Sequence, residues 1–122
     1  MLINDEVKAV LSHESSAALV TVGVDGPHLV ATWNSYIEVL SDDTFAFPAG
    51  GMNHTQANIA KGSHVEMIIG SRDESGKGMG FRMAGRADFQ VGTPVHEHLK
   101  ERFPWCRAAV LVKFEEVEKV LG

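Results

Sequence analysis

Apolar residues recur at every second position over much of the chain, and helical spacing is confined to short stretches. Ile3, Val7, Val10 and Leu11 fall on one helical face, with Asn4 or Asp5 as N-cap, and predict a first helix of about three turns. Ala17 to Gly23 is a short apolar run rich in valine, which predicts a buried strand. Asp25-Gly26 predicts a hairpin turn. The return strand starts at His28, with Leu29, Ala31 and Trp33 opposite His28, Thr32 and Asn34, and extends toward Leu40. Thr44 to Phe47 and His64 to Ile69 read as further strands, and Ser71 to Gly80 as a polar loop. The clearest alternation sets Phe81, Met83, Gly85, Ala87 and Phe89 against Arg82, Ala84, Arg86, Asp88 and Gln90. Thr93-Pro94 opens a helix bearing Val95, Leu99 and Phe103, stopped by Pro104. Ala108 to Phe114 is the last strand, followed by a charged tail ending in Val120-Leu121. The sum is a mainly β single domain over residues 1–122. It has about six antiparallel strands closed into a small barrel and about three short helices.

Composition narrows the function classes. The 122 residues suffice for one ordinary core. A net charge of −5, with acids and bases interspersed, argues against nucleic acid or an anionic membrane as the main partner. No apolar run has the length of a membrane span or the form of a signal peptide. One cysteine, Cys106, forbids an internal disulfide, and a cytoplasmic location is expected.

Three stretches can carry chemistry. "PAGGMNHTQANIAKG" runs from Pro48, Ala49, Gly50 and Gly51 into a helix start. Asn53 and Gln56 have the form of a capping box there, and Met52 and Ala57 that of a hydrophobic staple. A glycine turn before a helix N-terminus can hold an anion, with Thr55 as donor and His54 as cation; it can equally be a plain connection. "ATWNSY" sets Thr32, Asn34 and Tyr36 beside Trp33, which suits a planar heteroaromatic ligand or a barrel strand with a core tryptophan. In "RFPWCR", Trp105 is either a lid or a packed corner. His96 and His98 are two apart and point to different sides of a helix, so no metal site is predicted. "GKGMG" is neither a P-loop nor a dinucleotide fingerprint, and no nucleophile elbow or carboxylate pair is present. No catalytic residue is named, and any redox chemistry here would belong to a cofactor.

In order, "DGPHLVATWNSY", "PAGGMNHTQANI", "GFRMAGRADF" and "RFPWCRAAVLV" resemble the small FMN-binding proteins of the pyridoxamine 5′-phosphate oxidase-like split-barrel superfamily. The resemblance implies a six-stranded antiparallel split barrel and a homodimer with one FMN per subunit near the interface. It implies that Thr32 meets the flavin edge, that Trp33 and Tyr36 lie near the ring, and that Pro48 to Gly51 meets its pyrimidine end. His54 and Thr55 would face the phosphate, Trp105 would flank the flavin, and Leu121 would reach the partner subunit's flavin. The family often has Asn where this chain has Ala31 and Lys where it has His54, so two phosphate-end groups differ. The function implied is redox: an FMN electron carrier or a small flavin-dependent oxidoreductase, with donor and acceptor unnamed. The alternative is a non-catalytic module that stores or senses FMN, or binds another planar ligand such as haem.

Overall fold

The computed structural model describes residues 2–122. Seven strands form one sheet: β1 (Ser16–Gly23), β2 (Gly26–Trp33), β3 (Glu38–Ser41), β4 (Thr44–Ala49), β5 (Val65–Arg72), β6 (Gly78–Gln90) and β7 (Ala108–Leu121). Their order is β2-β1-β5-β6-β7-β4-β3, and every neighbouring pair is antiparallel. Three helices accompany them: α1 (Asp5–Leu11), α2 (Asn53–Ala60) and α3 (Pro94–Arg102).

The sheet corrects the expectation of six strands closed into a barrel. There are seven strands, and β2 and β3 are the two free edges of an open sheet. The extra strand arises because the chain does not run straight from His28 to Leu40. Asn34–Tyr36 form a single 3-10 turn instead. Asn34 fixes that turn: its backbone N–H donates to Ser15, and its buried side-chain amide donates to the carbonyls of His13 (3.0 Å), Gly70 (3.2 Å) and Val10 (3.4 Å). Those bonds take the chain off one sheet edge and deliver it to the other. Two further boundaries move. Ser71 and Arg72 extend β5, Gly78 begins β6, and only the residues between remain a loop. The charged tail is not a tail: Glu115 to Leu121 continue β7 against β6.

The helices start where their caps require. Asn4 accepts from Val7 N at 3.0 Å, and Thr93 caps α3 with Pro94 at its first position. α1 packs on β5 and β6, α2 on β1, β2 and β6, and α3 on β4 and β7. The core lies inside the curl of the sheet and holds Leu19, Phe45, Phe47, Met67, Met83, Val110 and Val112, with Ile3 and Val7 from the α1 side. Burying each such side chain contributes about 1.5–3 kcal/mol against leaving it in water. A smaller cluster of Ala46, Leu99, Cys106 and Ala109 seats α3. No helix among the described residues is long and apolar enough to cross a membrane.

Candidate ligand-binding groove

β4 ends at Ala49, and the chain then crosses to the opposite edge strand through Gly50 and Gly51 into α2. The turn is built differently from the sequence expectation. Neither Gly50 nor Gly51 has a positive φ; the left-handed residue is Met52, at φ 60° and ψ 30°. Met52 is therefore the N-cap, without a side-chain cap, and Asn53 is already helical. The capping box and staple do not form, and Gln56 is free for another partner. An αL conformation on a non-glycine residue costs on the order of 1 kcal/mol or more and persists only where surrounding contacts fix it.

Those contacts come from the segment after α3. Arg107 N–H donates to Ala49 O at 2.8 Å. The Arg107 guanidinium donates to Gly51 O at 2.7 Å and to Gln56 Oε1 at 2.9 Å. Trp105 lies flat enough on Gly50 that an added Cβ there would approach its ring to 3.1 Å. A side chain at Gly50 would therefore need the indole to give by a few tenths of an ångström. Gly51 is different: a Cβ there would meet nothing within 4 Å. The N–H groups of Gly50 and Gly51 donate to no group among the described residues. The turn accordingly presents free donors and open space on one side.

α2 begins directly after this turn. Thr55 is fully buried, yet its hydroxyl has no hydrogen-bond partner among the described residues. An unpartnered buried hydroxyl costs about 1–3 kcal/mol, so structures seldom keep one idle. His54 is exposed, and its ring stacks on His28 of β2 with centroids 4.1 Å apart and planes 21° from parallel. His28, Val30 and Thr32 form the inward face of β2, with Thr32 buried opposite Ala17. Free N–H groups, a spare hydroxyl and two imidazoles at a helix N-terminus are the donor set for an anion. Aromatic cover comes from Tyr36, whose ring lies 5.7 Å from Trp105 and 4.7 Å from Phe103.

Of the expected residues, Trp105 meets Gly50 and Tyr36, and His54 stacks on His28, which shares the inward face of β2 with Thr32. Pro48 and Ala49 are buried in β4, paired with Ala109 and Ala108. Asn34 does not share a strand face with Tyr36, because both sit in the 3-10 turn; its Nδ2 is committed to three backbone carbonyls, while its Oδ1 is buried without a partner among the described residues. Trp33 points to the outer face of the sheet, where it is 48% exposed rather than a core residue. Leu121 also lies outside, against Gly80. It borders an open groove of about 810 Å³ with Glu14, Ser16, Ile68 and Arg72, and Ser16 is the strand partner of Trp33. Of the expected residues, that groove holds Leu121 alone.

A model of the family described as pyridoxamine 5′-phosphate oxidase matches residues 3–120. The chain belongs to the pyridoxamine 5′-phosphate oxidase family. It is 43% identical over 115 residues to a protein named "FMN-binding protein" from Nitratidesulfovibrio vulgaris, a match spanning 92% of this chain and 93% of that protein. Solved structures share the fold at lower identity. HupZ of Group A Streptococcus superposes with a TM-score of 0.77 at 20% identity, covering 98% of this chain and 95% of that one. An FMN-binding protein of Syntrophomonas wolfei gives 0.70 at 17%, covering 91% and 80%.

Within this member of the oxidase family, two groups behind the groove had no counterpart among the sequence candidates. Arg107 is the first. The second is His96, buried in α3: Gly92 N–H donates to its Nδ1 at 2.9 Å, so its Nε2–H donates to Cys106 O at 3.0 Å. That neutral tautomer ties the α3 entrance to the Trp105–Arg107 segment. Burial pushes the Cys106 thiol up from its ordinary range, which leaves it a packing group rather than a nucleophile. Among the described residues no cluster of three or more His, Cys, Asp or Glu could hold a metal.

Proposed function

We propose that this chain is an FMN-binding redox flavoprotein whose groove lies between the Ala49–Gly51 turn, β2 and the start of α2. The observation that carries the reading is the fully buried, unpartnered Thr55 hydroxyl in the first turn of α2. The open cradle at Gly51 and the family relative named for FMN support it. FMN fits this donor set. Its phosphate suits Thr55, His54 and the helix start, and its ring edge suits the free N–H groups of Gly50 and Gly51. Tyr36 and Trp105 offer aromatic cover, and Thr32 a polar contact from β2. When bound, FMN supplies the electron or hydride chemistry; the chain binds it, orients it and limits water.

The outer face belongs to the same reading. Leu29, Trp33, Ile68, Val120 and Leu121 are exposed on the sheet face away from the core. A second copy is the occupant proposed for this face, with Trp33 and Leu121 near the partner's flavin. The test of the flavin site is titration of apoprotein with FMN, followed by quenching of flavin fluorescence. Wild type binds, and Thr55→Val loses about ten- to a hundredfold, the worth of one charge-assisted hydrogen bond. The apo fold keeps its stability, since an apolar isostere replaces an idle hydroxyl. Equal FMN affinity in the two proteins would remove Thr55 from the site.

A further inference from the structure

Arg107 is held in an unusual electrostatic setting. Two of its nitrogens are spent on neutral acceptors, Gly51 O and Gln56 Oε1, and its Nε is buried without a partner. Arg82 pairs with Glu66 and Glu116, Arg102 with Glu38, and Lys119 with Glu6; Arg72 and Arg86 also meet only neutral acceptors, but both are exposed, whereas Arg107 is half-buried. No carboxylate pairs with Arg107 among the described residues. A partly buried cation without a counter-charge is costly unless something anionic completes it.

Its position says which part of a ligand it serves. The backbone of Arg107 grips Ala49 and its guanidinium grips Gly51, so one residue brackets the turn from both ends. It reaches α2 through Gln56, two residues from His54, and residues two apart do not share a helix face. The two side chains therefore flank the helix start from different sides, His54 toward His28 of β2 and Arg107 toward the glycine turn.

We propose, resting on the flavin reading above, that Arg107 is the positioning residue and fixed cation of this groove. It sets the Gly50–Gly51 turn and holds a pH-independent positive charge beside the pyrimidine side of the ring. Arginine stays charged across the working pH range, whereas a histidine does not. A positive charge there favours the electron-rich reduced ring over the oxidised one, so it raises the potential of the bound flavin.

The test compares wild type, Arg107→Gln and Arg107→Lys by the midpoint potential of the bound flavin and by affinity for oxidised FMN and riboflavin. In Arg107→Gln, both flavins bind more weakly. The ratio of reduced to oxidised binding falls at least about tenfold, a potential lower by about 30 mV for a two-electron couple. Arg107→Lys keeps the charge and loses the fork, so it keeps the potential while affinity falls. An unchanged potential in Arg107→Gln would make Arg107 a structural clamp only. A loss confined to FMN, with riboflavin unaffected, would assign the guanidinium to the phosphate instead. If Arg107→Gln does not fold, Arg107→Lys decides: a potential as low as that tenfold shift overturns the proposal. Wild type that takes up neither flavin overturns the flavin reading itself, and that result is visible before any variant is made.

Discussion

At Gly51, fold and ligand make opposite demands. Its φ lies outside the left-handed region and a Cβ there meets no protein atom within 4 Å, so the empty protein tolerates alanine. Gly51→Ala is expected to leave the apoprotein as stable or more stable by about 0.4–1 kcal/mol. The same methyl would stand in the space assigned to the ring, so FMN affinity is expected to drop about tenfold or more. Thermal unfolding and FMN titration read the two effects separately, and undiminished affinity would place the ring elsewhere. His54 belongs to the same scale. Its imidazole stands at the start of α2, stacked on His28. His54→Gln is expected to weaken FMN by about tenfold, the worth of one hydrogen bond to a charged group, and to leave riboflavin unaffected. Equal losses for FMN and riboflavin would take His54 out of the phosphate contact. Thr55 and His54 could be named as candidates from the sequence because a helix start after glycines has a known chemistry. Arg107 was not, because its partners Gly51 and Gln56 lie 56 and 51 residues away along the chain, and a lone arginine beside a strand carries no signal.

Among the elements, those set by local rules were the most legible. The Thr93-Pro94 start, the Asn4 cap and the alternation of β6 depend on neighbours in sequence and were found as read. The break between β2 and β3 depends on one buried asparagine amide reaching three distant carbonyls, which no periodicity reveals. Met52 displaced Asn53 as the α2 cap for a similar reason: Arg107 and Trp105 fix the turn from outside it. The faces of β2 were separated correctly, but their surroundings were not. The apolar side, Leu29 and Trp33, faces outward, and the side with Thr32 faces in. An outward apolar face extending over β1 and β5 is a surface for association. Ile68, half-exposed near its centre, is opposite Ala18 and Arg82 in register. Sedimentation at micromolar concentration should show a dimer for wild type and a monomer for Ile68→Glu. A wild-type monomer, with or without FMN, would contradict the proposed pairing.

For the whole molecule, the curled sheet brings opposite ends of the sequence order to one place. β4 delivers the glycine turn, β2 delivers His28 and Thr32, and the β7 entrance delivers Trp105 and Arg107. α2 crosses between them with its idle threonine. The proposed groove is contained in no single element. Amide hydrogen exchange of the apoprotein, with and without saturating FMN, tests this most directly because it reports position as well as binding. The expected result is slowed exchange at Gly50 to Gln56, at Thr32 to Tyr36 and at Trp105 to Arg107. Slowing at none of these, or only around Leu121 and the outer groove, would contradict a flavin site at the start of α2.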